Sequence, residues 1–116
     1  MKNGCIEYLN GTKAWYLNDG LHREDGPAIE YADGDKEWLI NNKLHREDGP
    51  AIEHADGDKE WYINDKLHRE DGPAIQWADG YKQWYLDNEE YTEKEYWKEI
   101  YNLGIISQEQ LVLELL

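Results

Sequence analysis

Hydrophobic and polar positions alternate along two short segments that flank an Asp-Gly pair, and the pattern returns at a fixed interval. In the first clear copy the segments span 28–32 and 35–41, with Asp33-Gly34 between them. Alternation with a period of two predicts β-strands, and Asp-Gly is favoured in two-residue hairpin turns because both loop positions need positive φ. Each copy is therefore predicted to form a β-hairpin.

The copies repeat with a period of 23 residues. The segment LHREDGPAIEYADGDKEWLINNK at 21–43 returns at 44–66 with three substitutions, and its first residues return at Leu67. A partial copy at 6–20 precedes this segment, and the third copy spans 67–89. Such units bury apolar surface by stacking on one another. We expect a mainly β fold, in which an antiparallel meander of hairpins forms a single elongated, twisted sheet over 1–90.

A two-residue loop at Asp33-Gly34 fixes the pairing of the flanking strands. It places Ile29 opposite Trp38 and Glu30 opposite Glu37, and both glutamates change together to glutamine in the third copy. Alternation then predicts two faces. The packed face carries Ile29, Tyr31, Trp38 and Ile40, and the solvated face carries Ala28, Glu30, Ala32, Asp35 and Glu37. The predicted structural core consists of Ile29, Trp38, Ile52, Trp61, Ile75 and Trp84.

Other signals predict a second turn in each copy and two helices after the array. Asn41-Asn42-Lys43 is predicted to form the turn, and 44–46 a short strand. Thr92-Glu93-Lys94-Glu95 is a capping-box pattern, Gly104 is placed to end that helix, and Ser107 opens another. The segment 91–116 is thus expected to be a helical cap of the array. Its apolar end can also serve a homodimer, through Leu111, Leu113, Leu115 and Leu116.

The charge of the chain points to a basic partner. The 116 residues carry a formal net charge of −14, which disfavours direct binding to nucleic acid or anionic lipid. Mean hydropathy is low, at −0.99, but six Trp and nine Tyr are unlike a disordered composition. The single Cys5 fits a reducing compartment, and no apolar run reaches the length of a membrane span. The expected location is the cytoplasm.

Three patterns raise the question of catalysis or metal binding. His22, His45 and His68 recur beside Arg-Glu-Asp, His54 adds a further imidazole, and Asp33-Gly34-Asp35 resembles a fragment of a calcium loop. Equivalent residues of stacked copies lie about 10 Å apart, too far to share a zinc ion. Opposed carboxylates could serve general acid catalysis, but no pocket-forming sequence accompanies them. We expect no enzyme activity, no metal and no cofactor.

The repeated acids are better interpreted as a binding surface. Directly opposed like charges destabilise a hairpin, so their repetition suggests selection for binding. The acidic candidates are Glu30, Glu37, Glu53, Glu60, Asp35 and Asp58. The most variable equivalent position, held by Tyr31, His54 and Trp77, is where specificity is expected. Three alternatives remain open: a DNA mimic, a structural scaffold that assembles through the C-terminal helices, and a small-molecule site at the variable position.

These residues also resemble a known repeat family. Tyr8-Leu9-Asn10-Gly11, 32–34, 55–57 and 78–80 each precede a Trp-containing strand, as in the MORN-type repeats of about 23 residues. The HREDGPA block is similar to repeats in proteins of bacteriophages, bacteria and giant viruses. The resemblance covers about three quarters of the chain and implies a hairpin array used as a scaffold or interaction module. By analogy with phage proteins, it implies an inhibitor of a host defence or nucleic-acid enzyme.

Overall fold

The computed structural model describes residues 1–116, in which fourteen short strands precede two helices. The predicted fold class, a mainly antiparallel β array of hairpins followed by two short C-terminal helices, is confirmed. The strands are β1 Gly4–Glu7, β2 Lys13–Leu17, β3 Gly20–Leu21, β4 Ile29–Glu30, β5 Lys36–Glu37, β6 Leu39–Ile40, β7 Lys43–Leu44, β8 Ile52–Glu53, β9 Lys59–Glu60, β10 Tyr62–Ile63, β11 Lys66–Leu67, β12 Ile75–Gln76, β13 Lys82–Leu86 and β14 Glu89–Tyr91; the helices are α1 Glu93–Asn102 and α2 Gln108–Leu115.

Each full copy adds two strands to one long sheet. The spatial order is β1-β2-β4-β5-β8-β9-β12-β13-β14, and every pair in this path is antiparallel. The pairs β5–β8 and β9–β12 join one copy to the next by backbone hydrogen bonds. The molecule is consequently elongated, with extents of 51 × 30 × 20 Å.

A second row of hairpins lies beside the main sheet. β6 pairs with β7 and β10 with β11, while β3 extends β2 and β14 extends β13 in the same manner. Asn41 and Asn42 form the turn with φ of 50° and 67°, which is the type I′ geometry of a two-residue loop. Asn42 also donates its N–H to the Leu21 carbonyl at 2.9 Å, and its Oδ1 accepts from the Leu21 N–H at 2.7 Å. These hydrogen bonds thus join consecutive side hairpins, β2–β3 and β6–β7, to one another.

The predicted register of the main hairpin is wrong by one residue. The Tyr31 carbonyl accepts from the Gly34 N–H at 3.0 Å, and the Tyr31 N–H donates to the Asp35 carbonyl at 2.9 Å. This is a three-residue loop in which Gly34, at φ 100°, takes the left-handed position. Ile29 therefore pairs with Glu37, and Glu30 with Lys36, instead of Trp38 and Glu37. The two-residue primed turn lies at the Asn-Asn pair instead.

The observed register replaces the predicted like-charge pairs with a row of alternating charge. Glu30 lies between Lys13 and Lys36, and Lys36 lies between Glu30 and Glu53. Opposite charges facing one another across strands stabilise a sheet, whereas like charges do the reverse. No binding function is therefore needed to explain the repeat of Glu30 and Glu53. The row runs across the sheet as Glu7, Lys13, Glu30, Lys36, Glu53, Lys59, Gln76 and Lys82.

The predicted packed and solvated faces also need correction. Ala28, assigned to the solvated face, is fully buried, and Tyr31, assigned to the packed face, is exposed. Of the six predicted core residues, Ile75 and Trp84 are buried; Ile29, Trp38, Ile52 and Trp61 are half-buried. The cause is that a single sheet has little to cover it: small alanines fill the crowded interior, and the large rings lie partly at the surface.

The largest buried cluster lies at the C-terminal end, where α1 packs on the last strands. Trp84 and Leu86 of β13 contact Tyr96, Trp97 and Ile100 of α1, and all five are buried. The Trp84 and Tyr96 ring centroids are 5.0 Å apart, and those of Trp84 and Trp97 are 5.7 Å apart. The helix thus covers apolar surface at the end of the array that a further copy would otherwise bury.

Both helices begin at the residues that the sequence indicates. The Thr92 side chain accepts from the Glu95 N–H at 3.2 Å, and the Glu95 carboxylate accepts from the Thr92 N–H at 3.0 Å, which completes the capping box. Ser107 caps α2 by accepting from the Gln110 N–H at 3.1 Å. Gly104, at φ 78°, follows the end of α1. Neither helix has the length and apolar character that a membrane span requires.

The apolar residues of α2 divide between the cap and the surface. Leu111 is half-buried and packs against the C-terminal cluster, and Leu115 is half-buried. Val112, Leu113 and Leu116 are exposed, with Leu116 92% accessible. The helix accordingly covers the array with one side only.

Candidate functional site

Four of the six acids singled out from the sequence are engaged in holding the array together. Glu30 accepts from Arg23 at 3.1 Å, and Glu53 accepts from Arg46 at 3.4 Å. The Asp35 carboxylate accepts from the Ala55 N–H at 2.7 Å, and that of Asp58 from the Ala78 N–H at 2.6 Å. Both of these aspartates bridge to the next copy. These carboxylates have structural partners, which reduces their availability to another molecule.

The other two acids pair with the variable position of their own copy. The Tyr31 hydroxyl donates to Glu37 at 3.0 Å, and His54 Nε2 lies 2.9 Å from Glu60. In the third copy Trp77 Nε1 donates to Gln83 Oε1 at 2.8 Å. The structure thus brings the two predicted sets together, and glutamate is replaced by glutamine where the donor is an indole.

These contacts shift the proton affinities of the side chains at the variable position. Desolvation and, after it, the hydrogen bond to Glu37 raise the pKa of Tyr31 to about 12. The hydrogen bond to Glu60 raises the pKa of His54, and Asp35, with Oδ2 3.7 Å from His54 Nδ1, acts in the same direction. Tyr31 and Trp77 are each 37% exposed, so the variable position is accessible on the surface.

A different set of acids, not selected from the sequence, is highly exposed. Each copy carries a Glu-Asp pair in the turn before its Gly-Pro: Glu24-Asp25, Glu47-Asp48 and Glu70-Asp71. We call these pairs the acidic ridges. Side-chain exposure is 83–84% at Glu24 and Glu47, 54% at Glu70, and 86–88% at the three aspartates. The Glu-Asp-Gly-Pro turn sequence is the signal that could have identified them, because such turns lie on the surface.

An arginine at the base of each ridge stacks on a tryptophan of the preceding hairpin. The Arg46 guanidinium lies 3.9 Å from the Trp38 ring centroid, and its Nε donates to Asp48 at 3.0 Å. Its Nη1 also donates to the Pro50 carbonyl at 3.0 Å. A Cβ atom on Gly49 would lie 2.8 Å from the Arg46 guanidinium carbon, so a larger residue here would force the guanidinium to shift from its stack on Trp38. Arg23 on Trp15 and Arg69 on Trp61 repeat the arrangement.

Two equivalent grooves lie between consecutive ridges. The first groove has a volume of about 700 Å³ and lies between the ridges at 24–25 and 47–48, with Trp38 and Ile40 in its lining. The second has a volume of about 740 Å³ and lies between 47–48 and 70–71, with Trp61 and Ile63 in its lining. Each groove carries four carboxylates and two guanidinium groups, a formal charge of −2. Each therefore combines an apolar lining with an acidic rim.

The repeated histidines support the fold. His45 Nδ1 accepts from the Asn64 N–H at 3.2 Å, and His22 and His68 accept from the equivalent turn residue of their own copies at 3.1 Å. Their Nε2 atoms face Glu24, Glu47 and Glu70 at 3.5, 3.6 and 2.9 Å. No group of three or more His, Cys, Asp or Glu side chains is arranged to hold a metal ion.

No family model matches this sequence, and no curated protein is significantly similar to it. The resemblance to MORN-type repeats therefore stays a prediction that rests on the repeated residues alone.

Proposed function

We propose that this chain is a non-enzymatic acidic repeat protein that binds a protein partner through the three acidic ridges and the two grooves between them. The observation that carries the proposal is the repeated, exposed Glu-Asp pair beside a groove of formal charge −2. This surface replaces the sheet acids predicted from the sequence. A cytoplasmic location agrees with the single free thiol of Cys5.

A partner with a basic surface fits this face for two physical reasons. Exposed carboxylates in rows create a potential that steers a basic protein and accelerates its association. The tryptophan and isoleucine in each groove offer apolar surface to the stems of long basic side chains. The contact would weaken as salt rises, because exposed charges are screened over about 8 Å at physiological ionic strength.

A nucleic-acid-binding enzyme is the partner class that we favour, with inhibition as the result. Such enzymes carry basic clefts for phosphate, and an acidic array lying in the cleft would exclude the substrate. Full DNA mimicry is the weaker version of this proposal: two ridge carboxylates per copy give about one charge per 5 Å, against about one per 1.7 Å in duplex DNA. The idea of an anti-defence inhibitor rests on the phage-like resemblance only.

Affinity capture with matched variants tests the proposal. The chain is immobilised, host lysate is applied at low and high salt, and the captured protein is then purified and its affinity measured directly. We expect a salt-sensitive partner whose affinity falls at least tenfold for Glu24→Gln/Glu47→Gln and stays unchanged for Glu7→Gln/Glu109→Gln, which removes the same charge elsewhere. Equal loss in both variants would refute a role for the ridges.

A structural scaffold that assembles through α2 is the second candidate. It is favoured by the exposure of Val112, Leu113 and Leu116, which leaves one side of the helix apolar and uncovered. Light scattering after size-exclusion chromatography distinguishes the two functions. A dimer that Leu113→Asp converts to a monomer supports the scaffold, and a monomer at all concentrations removes it.

A further inference from the structure

The two grooves are repeats of one site and share a wall. The ridge at Glu47-Asp48, together with Arg46, lines both grooves, and each groove has a tryptophan and an isoleucine at the same positions of its copy. A ligand that fills one groove with a given side chain therefore meets the same ridge, tryptophan and isoleucine again on the other side of the ridge, and the second groove also has Ile105, which follows α1, in its lining.

The spacing of the grooves follows from the sheet. Each copy contributes two strands to the main sheet, and neighbouring strands lie about 4.8 Å apart, so equivalent points of adjacent copies are separated by about 10 Å. A peptide in the extended polyproline II conformation advances about 3.1 Å per residue and has three residues per turn. Side chains three residues apart in such a peptide therefore lie on the same side of the chain and about 9 Å apart, close to the distance between the grooves.

The lining selects long cationic side chains. Four carboxylates surround each groove, and their excess over the two arginines leaves −2 for a ligand to neutralise. Each arginine is already bound to an aspartate and stacked on a tryptophan, so its charge is compensated within the fold. A lysine or arginine can lay its methylene groups on the apolar lining and place its charge at the rim.

We propose that the partner segment is an extended peptide of polyproline II conformation with lysine or arginine at every third residue, which places one basic side chain in each groove. This inference rests on the proposed function and specifies the partner for the same surface. An extended chain is favoured over a helix because its free backbone N–H groups can donate to the exposed ridge carboxylate of Glu47 as the chain crosses. A helix satisfies its own backbone and offers side chains only.

Two peptides of identical length and composition test the spacing. One repeats Lys-Ser-Gly; the other contains the same residues with its lysines alternately two and four residues apart. Both are flexible and carry the same charge, so simple charge attraction predicts equal affinities. Fluorescence anisotropy is measured with labelled peptides and the full chain. We expect the regular peptide to bind roughly tenfold more tightly, because its second lysine enters the second groove at a high effective concentration.

Variants of the ridges locate the effect. Glu24→Gln/Glu47→Gln removes two carboxylates that are 83–84% exposed and whose contacts with a histidine are long, at 3.5 and 3.6 Å. Folding should therefore be unaffected, and a urea transition is recorded to verify this. We expect the spacing preference to disappear in this variant and to persist in Glu7→Gln/Glu109→Gln. Persistence of the preference in both would overturn the assignment to the grooves.

The outcomes separate this inference from the proposed function. Equal binding of the two peptides, equally tight binding of a small polyamine, or tighter binding of a helical peptide with lysines seven residues apart would overturn the extended-peptide inference and leave a basic partner possible. If neither peptide binds but a folded basic protein does, the inference fails and the proposed function survives. If neither the peptides nor any basic protein bind, both fail.

Discussion

Replacement of Arg46 by lysine tests whether the arginine-tryptophan stacks hold the copies together. Arg46 contacts Trp38 by stacking, Asp48 and Glu53 by ion pairs, and the Pro50 carbonyl by a hydrogen bond, and its side chain is 22% exposed. Lysine keeps the charge but lacks the planar fork that makes these contacts together. The substitution therefore removes the stacking contact and the guanidinium hydrogen bonds but keeps the positive charge.

The expected loss follows from the contacts. A stacked cation on tryptophan contributes about 0.5–2 kcal/mol, and each net hydrogen bond about 0.5–1.5 kcal/mol. Lysine would retain one ion pair at most, and the slot beside Gly49, shaped for a flat guanidinium, would be left partly empty. We expect the free energy of unfolding to fall by about 2 kcal/mol.

Urea unfolding followed by tryptophan fluorescence measures this loss. With a slope of about 1–3 kcal/mol per molar, the midpoint should fall by about 1 M. Lys66→Gln serves as the control, since Lys66 is exposed and its loss should change stability by less than about 0.5 kcal/mol. A change of that small size for Arg46→Lys, with an unchanged slope, would refute the stack as a structural element.

Three further predictions address the core, the variable position and the side turn. Trp84→Ala should lower the free energy of unfolding by about 3–5 kcal/mol, and Trp38→Ala should lower it clearly less, because only the Trp84 ring is buried. Urea midpoints measure the two losses, and equal losses would contradict the burial argument. Because the pKa of His54 is raised by Glu60, its stabilising effect is complete below the unfolded-state pKa of about 6.5 and is lost as pH rises through the folded-state pKa. The stability difference between the wild type and His54→Gln should therefore shrink from pH 5 to pH 9, and a constant difference would exclude this linkage. Asn42→Ala should cost about 1–2 kcal/mol through positive φ and the lost hydrogen bond to Leu21 of the preceding side hairpin, whereas Asn42→Asp, the residue of the next copy, should be tolerated. Equal thermal midpoints for the two variants would argue against this explanation.

The period and the caps could be predicted because they depend on local chemistry. Near-identity between 21–43 and 44–66 shows the repeat directly, and the capping residues Thr92 and Ser107 act within one turn of helix. Asp-Gly also marked a real turn. The dipeptide does not distinguish a two-residue loop from a three-residue loop, because both loops place glycine at positive φ.

That one-residue difference determined which acids were selected as the site. A shift of one residue changes every cross-strand neighbour, so Glu30 faces Lys36 instead of Glu37. The predicted like-charge repulsion therefore pointed to acids such as Glu30 and Glu53, which form structural contacts with arginine and lysine. The ridges were passed over because a turn sequence has no alternation of hydrophobic and polar positions, although its polar residues are the ones that a sheet leaves in solvent.

The end of the array shows why the grooves stop where they do. In the copies that form grooves, an arginine follows the repeated histidine directly. Arg46 and Arg69 each stack on a tryptophan and form an ion pair with the aspartate of the adjoining ridge. At the equivalent place after the third copy stands Thr92. Helix α1 brings the Tyr96 ring to Trp84, the last tryptophan of the array, and the Tyr96 hydroxyl donates to the Arg69 carbonyl. The Tyr96 ring, tilted by 49° with its centroid 5.0 Å from that of Trp84, packs against the indole in place of a guanidinium, and no further ridge follows. Groove number thus depends on the number of Arg-Glu-Asp turns, and an inserted copy should add one groove, one further site of charge −2 and about 10 Å of length.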